Sequence, residues 1–386
     1  MGTIAVYNKF CIVREIAETL SKMGKKVSLF LNENELLNIK NEGPVDFVMD
    51  INFHENVREL CIKYDLPYIV WSFDSGVKDA VSLTVKTPLR NKDFLFLFNR
   101  LDYTECLKIH KNTYFLPFSA SDSFMLPVRK NGFDCDVLLI MNSFNDTVAE
   151  SELIFQKTLA SQQDEVHQKS YRLIKSLMDL VVEKHKYIFD RNLMPEFLEE
   201  SIEGCGVDPF NENRKEMFCD HYGQILSSLQ REICLNEICL TGHKIHVYGD
   251  RYWEKILKPF GNARFFPGAD YDKLAALYNR ARININLTQI QNLDSIPQRI
   301  FHVLAAGGFV LSNYSEEAAA AFKPSVHLET FRDLRELVGK INYCLKNETA
   351  RIKIAEAGQM EFTKFHKMEA RLAFIFREIA KKVNFF

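Results

Sequence analysis

The sequence predicts an α/β protein with two domains, each built on a parallel sheet with helices on both faces. Short β-branched or aromatic runs alternate with amphipathic segments from the start of the chain, a rhythm typical of βαβ units. A second alternating series of the same kind follows later. The length of 386 residues and the apolar content of 47% suffice for two hydrophobic cores.

The first series predicts a Rossmann-like domain over residues 1–130. Its strands are predicted at Thr3–Tyr7, Lys26–Leu31, Asp46–Asp50, Pro67–Trp71, Asp93–Phe98 and Thr113–Pro117. Amphipathic segments such as Val13–Met23 and Asn56–Tyr64 predict helices between them. The turn after the first strand, residues 7–10, lacks a Gly-x-Gly-x-x-Gly pattern, which argues against a dinucleotide cofactor and a dehydrogenase.

A second Rossmann-like domain is predicted over residues 131–367, with a hinge near Ser119–Asp134. It begins with a strand at 136–140 and is then interrupted by a helical insertion, about 146–240, with a loop at Gly204–Asn213. The helices of the insertion are predicted at Glu150–Leu159, Glu165–Tyr187, Pro195–Ile202 and Lys215–Glu232.

Strands and helices alternate again after the insertion. The strands are predicted at Lys244–Tyr248, Ala263–Phe266, Ala281–Leu287 and Phe309–Ser312. The helices are predicted at Tyr252–Lys258, Asp270–Arg280, Glu316–Phe322, Phe331–Leu345 and Thr349–Phe365. The C-terminal segment 368–386 contains a last amphipathic helix, Met368–Val383; a membrane surface is one docking place for it, but its apolar stripe favours packing on protein.

Composition and charge argue against several classes of protein. The formal net charge is −2 and the charges are interspersed, so no nucleic-acid partner is expected. The nine cysteines form no Cys-x-x-Cys pair, which argues against a zinc site or a disulfide framework. No signal segment or long apolar stretch is present, and a cytoplasmic location without a transmembrane segment is therefore expected.

The run from Ser295 to Leu311 combines a helix start, a glycine stop and a buried strand. Asp294 or Ser295 is predicted to cap the helix and Pro297 suits its first turn. Gly307 and the glycine after it end the helix before the apolar strand. This order is typical of a ligand-binding turn at the edge of an α/β sheet.

Three polar side chains share one face of that helix. Gln298, Arg299 and His302 lie at neighbouring helical positions close to the helix N-terminus, where backbone N–H groups favour anions. The spacing predicts a site for a diphosphate and a ribose. The alternative is that the three groups form an ordinary solvated helix face.

Other polar or glycine-bearing segments follow predicted strands, where ligands of open α/β sheets bind. Gly249 allows a tight turn, Arg251 can meet a phosphate, and Trp253 lies beside them. Phe266, Pro267 and Gly268 suit a slot for a base, and Asn286 precedes the helix of the polar face. Each segment taken alone is also ordinary turn chemistry.

The order of these motifs over Val247–Tyr314 resembles the CgeB-like (spore maturation protein CgeB) glycosyltransferases of the GT-B superfamily. The shared elements are Gly-x-x-x-Trp, Pro-Gly, Ile-Asn-Ile-Asn-Leu, Pro-Gln-Arg and Ala-Ala-Gly-Gly-Phe. The resemblance implies two Rossmann-like domains that face a cleft and a last helix that returns to the first domain. It also implies that Arg299 faces the donor diphosphate and that the loop at 266–268 borders the base. His302 occupies the position where the family has a glutamate that holds the ribose.

The resemblance extends to the first domain, where Trp71-Ser-Phe-Asp74 matches a Trp-x-x-Asp element. A carboxylate at Asp74 would face the second domain and take a proton from an acceptor hydroxyl in an inverting transfer. The alternative is that Asp74 only caps a helix over Val77–Val85. His54 is a weaker candidate for the base. Asp294 lies eight positions before His302, the separation at which retaining GT-B enzymes place the first acid of a paired-glutamate motif.

The implied activity is metal-independent transfer of a sugar from a nucleotide-diphosphate sugar, with uracil expected as the base, to a glycan, protein or other hydroxyl acceptor. No cofactor or metal is expected. One alternative is a non-catalytic GT-B scaffold with a degenerate donor site, in which the insertion binds a protein partner. Another is a sugar-nucleotide epimerase on the same fold.

Overall fold

The computed structural model describes residues 2–383 apart from 75, 78–80, 82–86, 161–163 and 211. Two six-stranded sheets, all of whose strand pairs are parallel, form the framework, with the strand orders β2-β1-β3-β4-β5-β6 and β12-β11-β10-β7-β8-β9. Consecutive parallel strands need crossover connections, which the helices supply on both faces of each sheet. The prediction of two parallel α/β sheets is confirmed.

The first sheet carries the strands that the alternating sequence predicts, displaced at their ends by one or two residues. They are β1 (Thr3–Tyr7), β2 (Lys26–Phe30), β3 (Val45–Ile51), β4 (Tyr68–Trp71), β5 (Asp93–Leu97) and β6 (Thr113–Phe115). The helices between them are α1 (Ile12–Lys22), α2 (Glu33–Glu42), α3 (Glu55–Lys63) and α4 (Arg100–Ile109). All residues of β4 and β5 are buried, because both faces of the sheet are covered.

The second sheet contains one strand that the sequence did not predict. Its strands are β7 (Cys135–Ile140), β8 (Ile245–Gly249), β9 (Ala263–Pro267), β10 (Ala281–Asn286), β11 (Val310–Asn313) and β12 (Glu329–Phe331). The prediction that a helix begins at Phe331 is wrong, since Phe331 ends β12. Three residues at a sheet edge are too short for the alternating pattern to identify.

The insertion between β7 and β8 is helical, as predicted, but its last helix is longer. Its helices are α5 (Asn145–Ala160), α6 (Glu165–His185), α7 (Met194–Cys205) and α8 (Glu212–Leu240). Helix α7 ends at Gly206 in the left-handed conformation, at φ 66°. Helix α8 continues for 29 residues and packs on the short turn at 290–292, which carries its middle section to the carboxyl edge of the sheet.

The remaining helices surround the second sheet and then return to the first. They are α9 (Tyr252–Leu257), α10 (Leu274–Asn279), α11 (Gln298–Ala305), α12 (Glu316–Ala321), α13 (Leu334–Lys346), α14 (Glu348–Phe365) and α15 (Met368–Ala380). Four apolar side chains of α15 are 0% exposed within the core of the first domain: Met368, Leu372, Ile375 and Ile379. The docking of the last helix on the first domain is therefore confirmed. Within the part of the chain that the structure describes, no helix is long and apolar enough to cross a membrane.

Two chain crossings connect the domains side by side. Ala120 on the first crossing forms a parallel bridge with Lys367 on the second. The Ser119 hydroxyl donates to the His366 carbonyl. Because the crossings are hydrogen-bonded to each other, a hinge motion must move both together.

His366, at the second crossing, predicts acid sensitivity. Burial first, then the charges of Arg371 and His327, lower the pKa of His366 from 6.5 to about 4. Between these values the unfolded chain binds a proton that the folded chain excludes, so stability falls as the pH falls from 6.5 towards 4. The loss amounts to about 3 kcal/mol at most. In urea unfolding at several pH values, His366→Phe, which keeps a ring beside Phe322, should remove this part of the pH slope.

The control is His167→Gln, which changes an exposed histidine on the insertion. It should retain the slope of the wild type. An equal pH slope in His366→Phe and the wild type would contradict the prediction.

Candidate functional site

A cavity of about 300 Å³ lies between the two domains, at the carboxyl ends of the strands. The first domain contributes three lining residues: Phe73, Asp74 and Phe98. The second domain contributes α10 and the turn before it, the turns after β10, the start of α11 and one residue of the insertion. Four predicted second-domain residues line it: Asn286, Gln298, Arg299 and His302. The cavity therefore joins the predicted polar helix face to the predicted acid of the opposite domain.

Arg299 is held at the cavity by two neutral groups. Its Nη1 donates to Asn286 Oδ1 at 3.4 Å. Its guanidinium also lies near the buried Tyr278, where burial raises the pKa of the hydroxyl and the charge of Arg299 opposes that rise. Asn286 is itself fixed, because its amide nitrogen donates to Thr288 Oγ1 at 3.0 Å and Ser312 Oγ at 2.9 Å. The amide oxygen of Asn286 thus orients the guanidinium and leaves its charge unneutralised.

A second arginine, Arg231 from helix α8, lines the same cavity. It is only 6% exposed, and its Nη atoms donate to the carbonyls of Asn142 at 2.5 Å and Leu287 at 3.2 Å. Its Nε is buried and has no hydrogen-bond partner among the described residues. Burial first, and then the charge of Arg299, lower the pKa of Arg231. A guanidinium stays protonated, so the lowered pKa expresses the free-energy cost of burying this charge.

No carboxylate of the described residues lies within 4.0 Å of either guanidinium, Arg231 or Arg299. The nearby acid Asp250 acts on Arg231 only through space, and its own oxygens accept from the backbone N–H groups of Ser143 and Tyr252. Two buried or half-buried cations without a counter-charge are costly. An anion between them would remove that cost, and a diphosphate has the charge and the oxygen geometry for it.

His302 is buried at the contact between the domains, at 3% exposure. Its ring stacks on Phe124 at a centroid distance of 3.9 Å. Its Nε2 lies 3.1 Å from Gln298 Nε2 and 3.5 Å from Glu15 Oε1. Glu15 belongs to helix α1 of the first domain and also accepts from the hydroxyl of Tyr271 and the N–H of Ser121.

Glu15 supplies a carboxylate beside the helix position where the resemblance predicts a glutamate. Burial alone would raise the pKa of Glu15, but its hydrogen bonds and its proximity to His302 hold that pKa below the usual value. The carboxylate is therefore ionised at neutral pH. Through its contact with His302 on α11, Glu15 links the two domains. The sequence pattern did not predict this contact.

Asp74 lies at the exposed rim of the cavity, at the end of β4. The N–H groups of Phe73 and Asp74 both donate to Asn52 Oδ1, at 3.0 and 3.3 Å. The helix Val77–Val85, which Asp74 is predicted to cap in the alternative interpretation, lies largely outside the described residues. The N–H groups of Gly76 and Val77 donate to a different carboxylate, Asp102 Oδ2, at 3.1 Å each.

Asp294 does not line the cavity that holds the arginines. Its Oδ2 accepts from the N–H of Leu101 at 2.7 Å, and its carbonyl accepts from the N–H of Arg100 at 3.1 Å. Asp294 thus bonds to the first turn of α4 in the opposite domain, whose own N-cap is Asn99, whereas the N-cap of α11 is Pro297 without a side-chain bond. The prediction that Asp294 or Ser295 caps the polar helix is wrong, because the carboxylate of Asp294 bonds to the opposite domain and Pro297 is the N-cap of the polar helix.

The segment after β8 packs in the second domain and does not line the cavity. Trp253 is 0% exposed, and its Nε1 donates to the Met141 carbonyl at 2.9 Å. We therefore correct its predicted role in donor binding. Gly249 has no positive φ; it is required because a side chain there would overlap the Met141 carbonyl and the Trp253 ring. Arg251 is exposed and lies outside the residues that line the cavity.

Phe266 lies on a different groove, of about 630 Å³, along β8 and β9. Its ring stacks on Tyr248 at 4.5 Å. Pro267 is exposed, and Gly268, at φ 56°, donates its N–H to the Gly249 carbonyl at 2.9 Å. The predicted base slot therefore separates into an aromatic groove on the sheet face and a turn at the strand ends.

Within the described ranges, no cluster of three or more His, Cys, Asp or Glu side chains could hold a metal ion. The sequence contains two Asp-x-Asp pairs. Asp270 and Asp272 are exposed; Asp270 pairs with the Lys273 ammonium, and Asp272 Oδ2 lies 3.4 Å from Arg14 Nη1. Asp134 and Asp136 flank the start of β7, at the edge of the sheet away from the cavity. Both acids lie near arginines, with Nε of Arg280 at 3.0 Å and Nε of Arg282 at 3.6 Å.

Sequence reasoning missed Arg231, because a long amphipathic helix hides one functional cation among many solvated charges. A signal was nevertheless present. Arg231 stands directly after Gln230 within a stretch where Leu226, Cys234 and Leu235 are buried, so it lies near the buried face of α8. A charged residue at such a position is costly unless it has a partner.

The comparisons with known proteins concern both the second domain and the whole chain. Residues 226–377 match the family model described as "Glycosyl transferase-like". This segment begins within helix α8 and includes both arginines of the cavity. Comparison with the curated proteins by sequence finds no match.

Solved structures resemble the whole chain at low sequence identity. Sucrose-phosphate synthase from Thermosynechococcus elongatus is 8% identical, with TM-score 0.57 and coverage of 99% of this chain and 100% of that one. T4 phage BGT in complex with its UDP-glucose substrate is 12% identical, with TM-score 0.55 and coverage of 98% and 99%. Anabaena Alr3699/HepE in complex with UDP and glucose is 10% identical, with TM-score 0.54 and coverage of 99% and 100%. Residues 226–377 are thus glycosyl transferase-like, and the whole chain has the GT-B fold.

Proposed function

We propose that this protein is a glycosyltransferase that moves a sugar from a nucleoside-diphosphate sugar to a hydroxyl acceptor. The observation that carries the proposal is the pair Arg231 and Arg299, which line an interdomain cavity without a carboxylate of the described residues within 4.0 Å. The unpartnered Nε of Arg231 marks a buried position that requires an acceptor. The diphosphate of a sugar nucleotide supplies oxygen acceptors and the missing negative charge together.

The two arginines have a direct role in the transfer. The bond from the anomeric carbon to the diphosphate breaks, and its electron pair leaves with the nucleoside diphosphate. Negative charge grows on the oxygens beside Arg231 and Arg299, where fixed cations lower the barrier. The two arginine side chains thus supply the positive charge that a metal ion supplies in other transferases. We therefore propose that the transfer is metal-independent.

The ribose is assigned to the start of α11, where Gln298 and His302 project towards the cavity and Glu15 supplies a carboxylate. The T4 phage and Anabaena proteins were solved with UDP or UDP-glucose. Together with the CgeB-like motif order, this supports a uracil donor as the first to test. The acceptor is assigned to the first domain, whose residues Phe73 and Asp74 line the cavity opposite the arginines.

The test is thermal unfolding of the wild type and of Arg299→Ala against UDP-, GDP-, dTDP- and ADP-glucose. Ligand binding raises the unfolding temperature by mass action only if the site accepts the ligand. One base is expected to raise the unfolding temperature of the wild type by several degrees and that of Arg299→Ala by less than a third as much. Mg²⁺ and Mn²⁺ are added in parallel, since T4 phage BGT has been solved with UDP and Mn²⁺.

The same experiment separates the proposal from a non-catalytic scaffold. Absence of a shift with every donor would mean that the contact of Glu15 with His302 has replaced the donor site. A shift that appears only with metal would contradict metal independence. Release of altered sugar and nucleotide without any acceptor would instead indicate an epimerase.

A further inference from the structure

A polar cluster that the donor site does not use lies at the carboxyl edge of the first sheet. His54 follows β3 and its Nδ1 lies 3.0 Å from Asp50 Oδ1 and 3.1 Å from Asp50 Oδ2. Asp50 is 0% exposed, and it accepts from the Tyr68 hydroxyl at 2.6 Å and from the His54 N–H at 3.1 Å. Burial raises the pKa of Asp50, and its contacts with His54 and Tyr68 oppose that rise. In its ionised form the carboxylate holds the proton of the neutral imidazole on Nδ1.

The other ring nitrogen of His54 faces outward. Its Nε2 lies 3.0 Å from the exposed Lys9 ammonium, which donates to it. The titratable groups that face the imidazole are Lys9 after β1, Asp50 on β3, Tyr68 on β4 and Tyr7 on β1, whose ring lies 5.3 Å from that of His54. His54 is the N-cap residue of α3, but its side chain makes no capping bond. Its ring is thus oriented by a buried carboxylate. Among the described residues, the one polar contact of its Nε2 is with the exposed Lys9 side chain, which can move aside.

The cluster borders the interdomain cavity. The ring of Phe10 lies 6.0 Å from that of His54 and 5.2 Å from that of Phe73, which lines the cavity. Asn52, two residues before His54 and at φ 64°, holds the backbone of Phe73 and Asp74. A single aromatic ring therefore separates the imidazole from the cavity wall, on the side where the acceptor is proposed to bind.

We propose that His54, oriented by Asp50, is the general base of an inverting transfer; this inference rests on the proposed function. His54 Nε2 takes the proton of the acceptor hydroxyl as the oxygen bonds to the anomeric carbon. The bond to the diphosphate breaks on the opposite face, and the nucleoside diphosphate departs with the electron pair. Asp50 stabilises the imidazolium, which then returns its proton to water. A base held by a buried carboxylate in this way contributes about 10²–10⁴-fold to the rate.

The geometry distinguishes His54 from Asp74 as the base. Asp74 lies at the exposed rim, where a carboxylate is a weak base at neutral pH. The His54 ring is fixed by Asp50, and its Nε2 contacts no carboxylate of the described residues. Loss of His54 should therefore remove the acidic limb of the rate profile, whereas loss of Asp74 should leave that limb in place.

The test measures release of nucleoside diphosphate from the sugar nucleotide with the largest thermal shift. Water and p-nitrophenyl glycosides serve as acceptors, from pH 5 to 9. His54→Gln is expected to lower the rate at pH 7.5 about 100-fold or more, to lose the acidic limb and to keep the thermal shift by the donor. The matched control is His167→Gln, which removes another Asp-paired histidine on the exposed insertion and should match the wild type.

A second variant keeps the test decisive if His54→Gln does not fold. Asp50→Asn preserves shape and is expected to lower the rate, because the imidazole loses the carboxylate that orients it and stabilises its protonated form. A rate and limb unchanged in either variant would overturn the inference, as would loss of the limb in Asp74→Asn alone. Donor binding by a wild type that releases nothing would overturn it too. Absence of any thermal shift in the wild type would remove the proposed function itself.

Discussion

Arg231→Met is expected to weaken binding of the sugar nucleotide roughly 100-fold or more. The substitution keeps the buried stem of the side chain and removes the charge that faces the diphosphate. Free-protein stability should change little, by about 1 kcal/mol, because relief from a buried unpaired charge offsets the donors lost by the carbonyls of Asn142 and Leu287. Isothermal titration with the donor and with the free nucleoside diphosphate measures the effect.

Two controls make the result specific to the cavity. Arg251→Met removes an exposed arginine of the same domain and should leave the affinity unchanged. The double variant of Arg231 and Arg299 should lose less than the sum of the single losses, because both act on one ligand. Equal affinity of Arg231→Met and the wild type would exclude the insertion from the donor site.

Gly249→Ala is expected to destabilise the second domain by about 3 kcal/mol, at the upper end of the usual cost of overpacking. The added Cβ would overlap the Met141 carbonyl and would lie 2.8 Å from Trp253 Cδ1. The carbonyl accepts from Trp253 Nε1 at 2.9 Å, so neither group can retreat without breaking a buried hydrogen bond. Urea unfolding of the free protein measures the loss.

The matched control is Gly261→Ala. A Cβ at Gly261 would meet no atom within 4 Å, and its backbone φ is not positive. Its stability should stay within about 0.5 kcal/mol of the wild type. A loss in Gly249→Ala no larger than that in Gly261→Ala would contradict the close approach described here.

The Gly249→Ala variant also tests whether this glycine is required for ligand contact or for packing. A glycine after a strand is compatible with contact to a phosphate and with close packing, and the residue alone does not distinguish them. Here the packing against Trp253 provides a complete reason for Gly249. Donor affinity in those Gly249→Ala molecules that remain folded should therefore be close to that of the wild type.

Sequence alone determined the architecture of this protein. Strands buried on both faces require continuous apolar runs, and crossover helices require amphipathic segments. The alternation of strands and helices can therefore be recognised from short stretches of sequence. The apolar stripe of the last helix was sufficient to predict that it docks on protein, as Leu372 and Ile375 do. The polar face of Gln298, Arg299 and His302 was equally visible, because helical spacing places these residues together without reference to any other segment.

Only the tertiary structure decided which distant groups meet that face. Arg231 belongs to a helix of the insertion and Glu15 to the opposite domain, whereas Asp294 bonds to the first turn of α4 outside the cavity. The pairing of His54 with buried Asp50 likewise depends on how β3 and β4 lie side by side. Local patterns record the period of an element and the polarity of its faces. The charge balance of a site is the sum over elements far apart in sequence, so it exists only once the chain is folded.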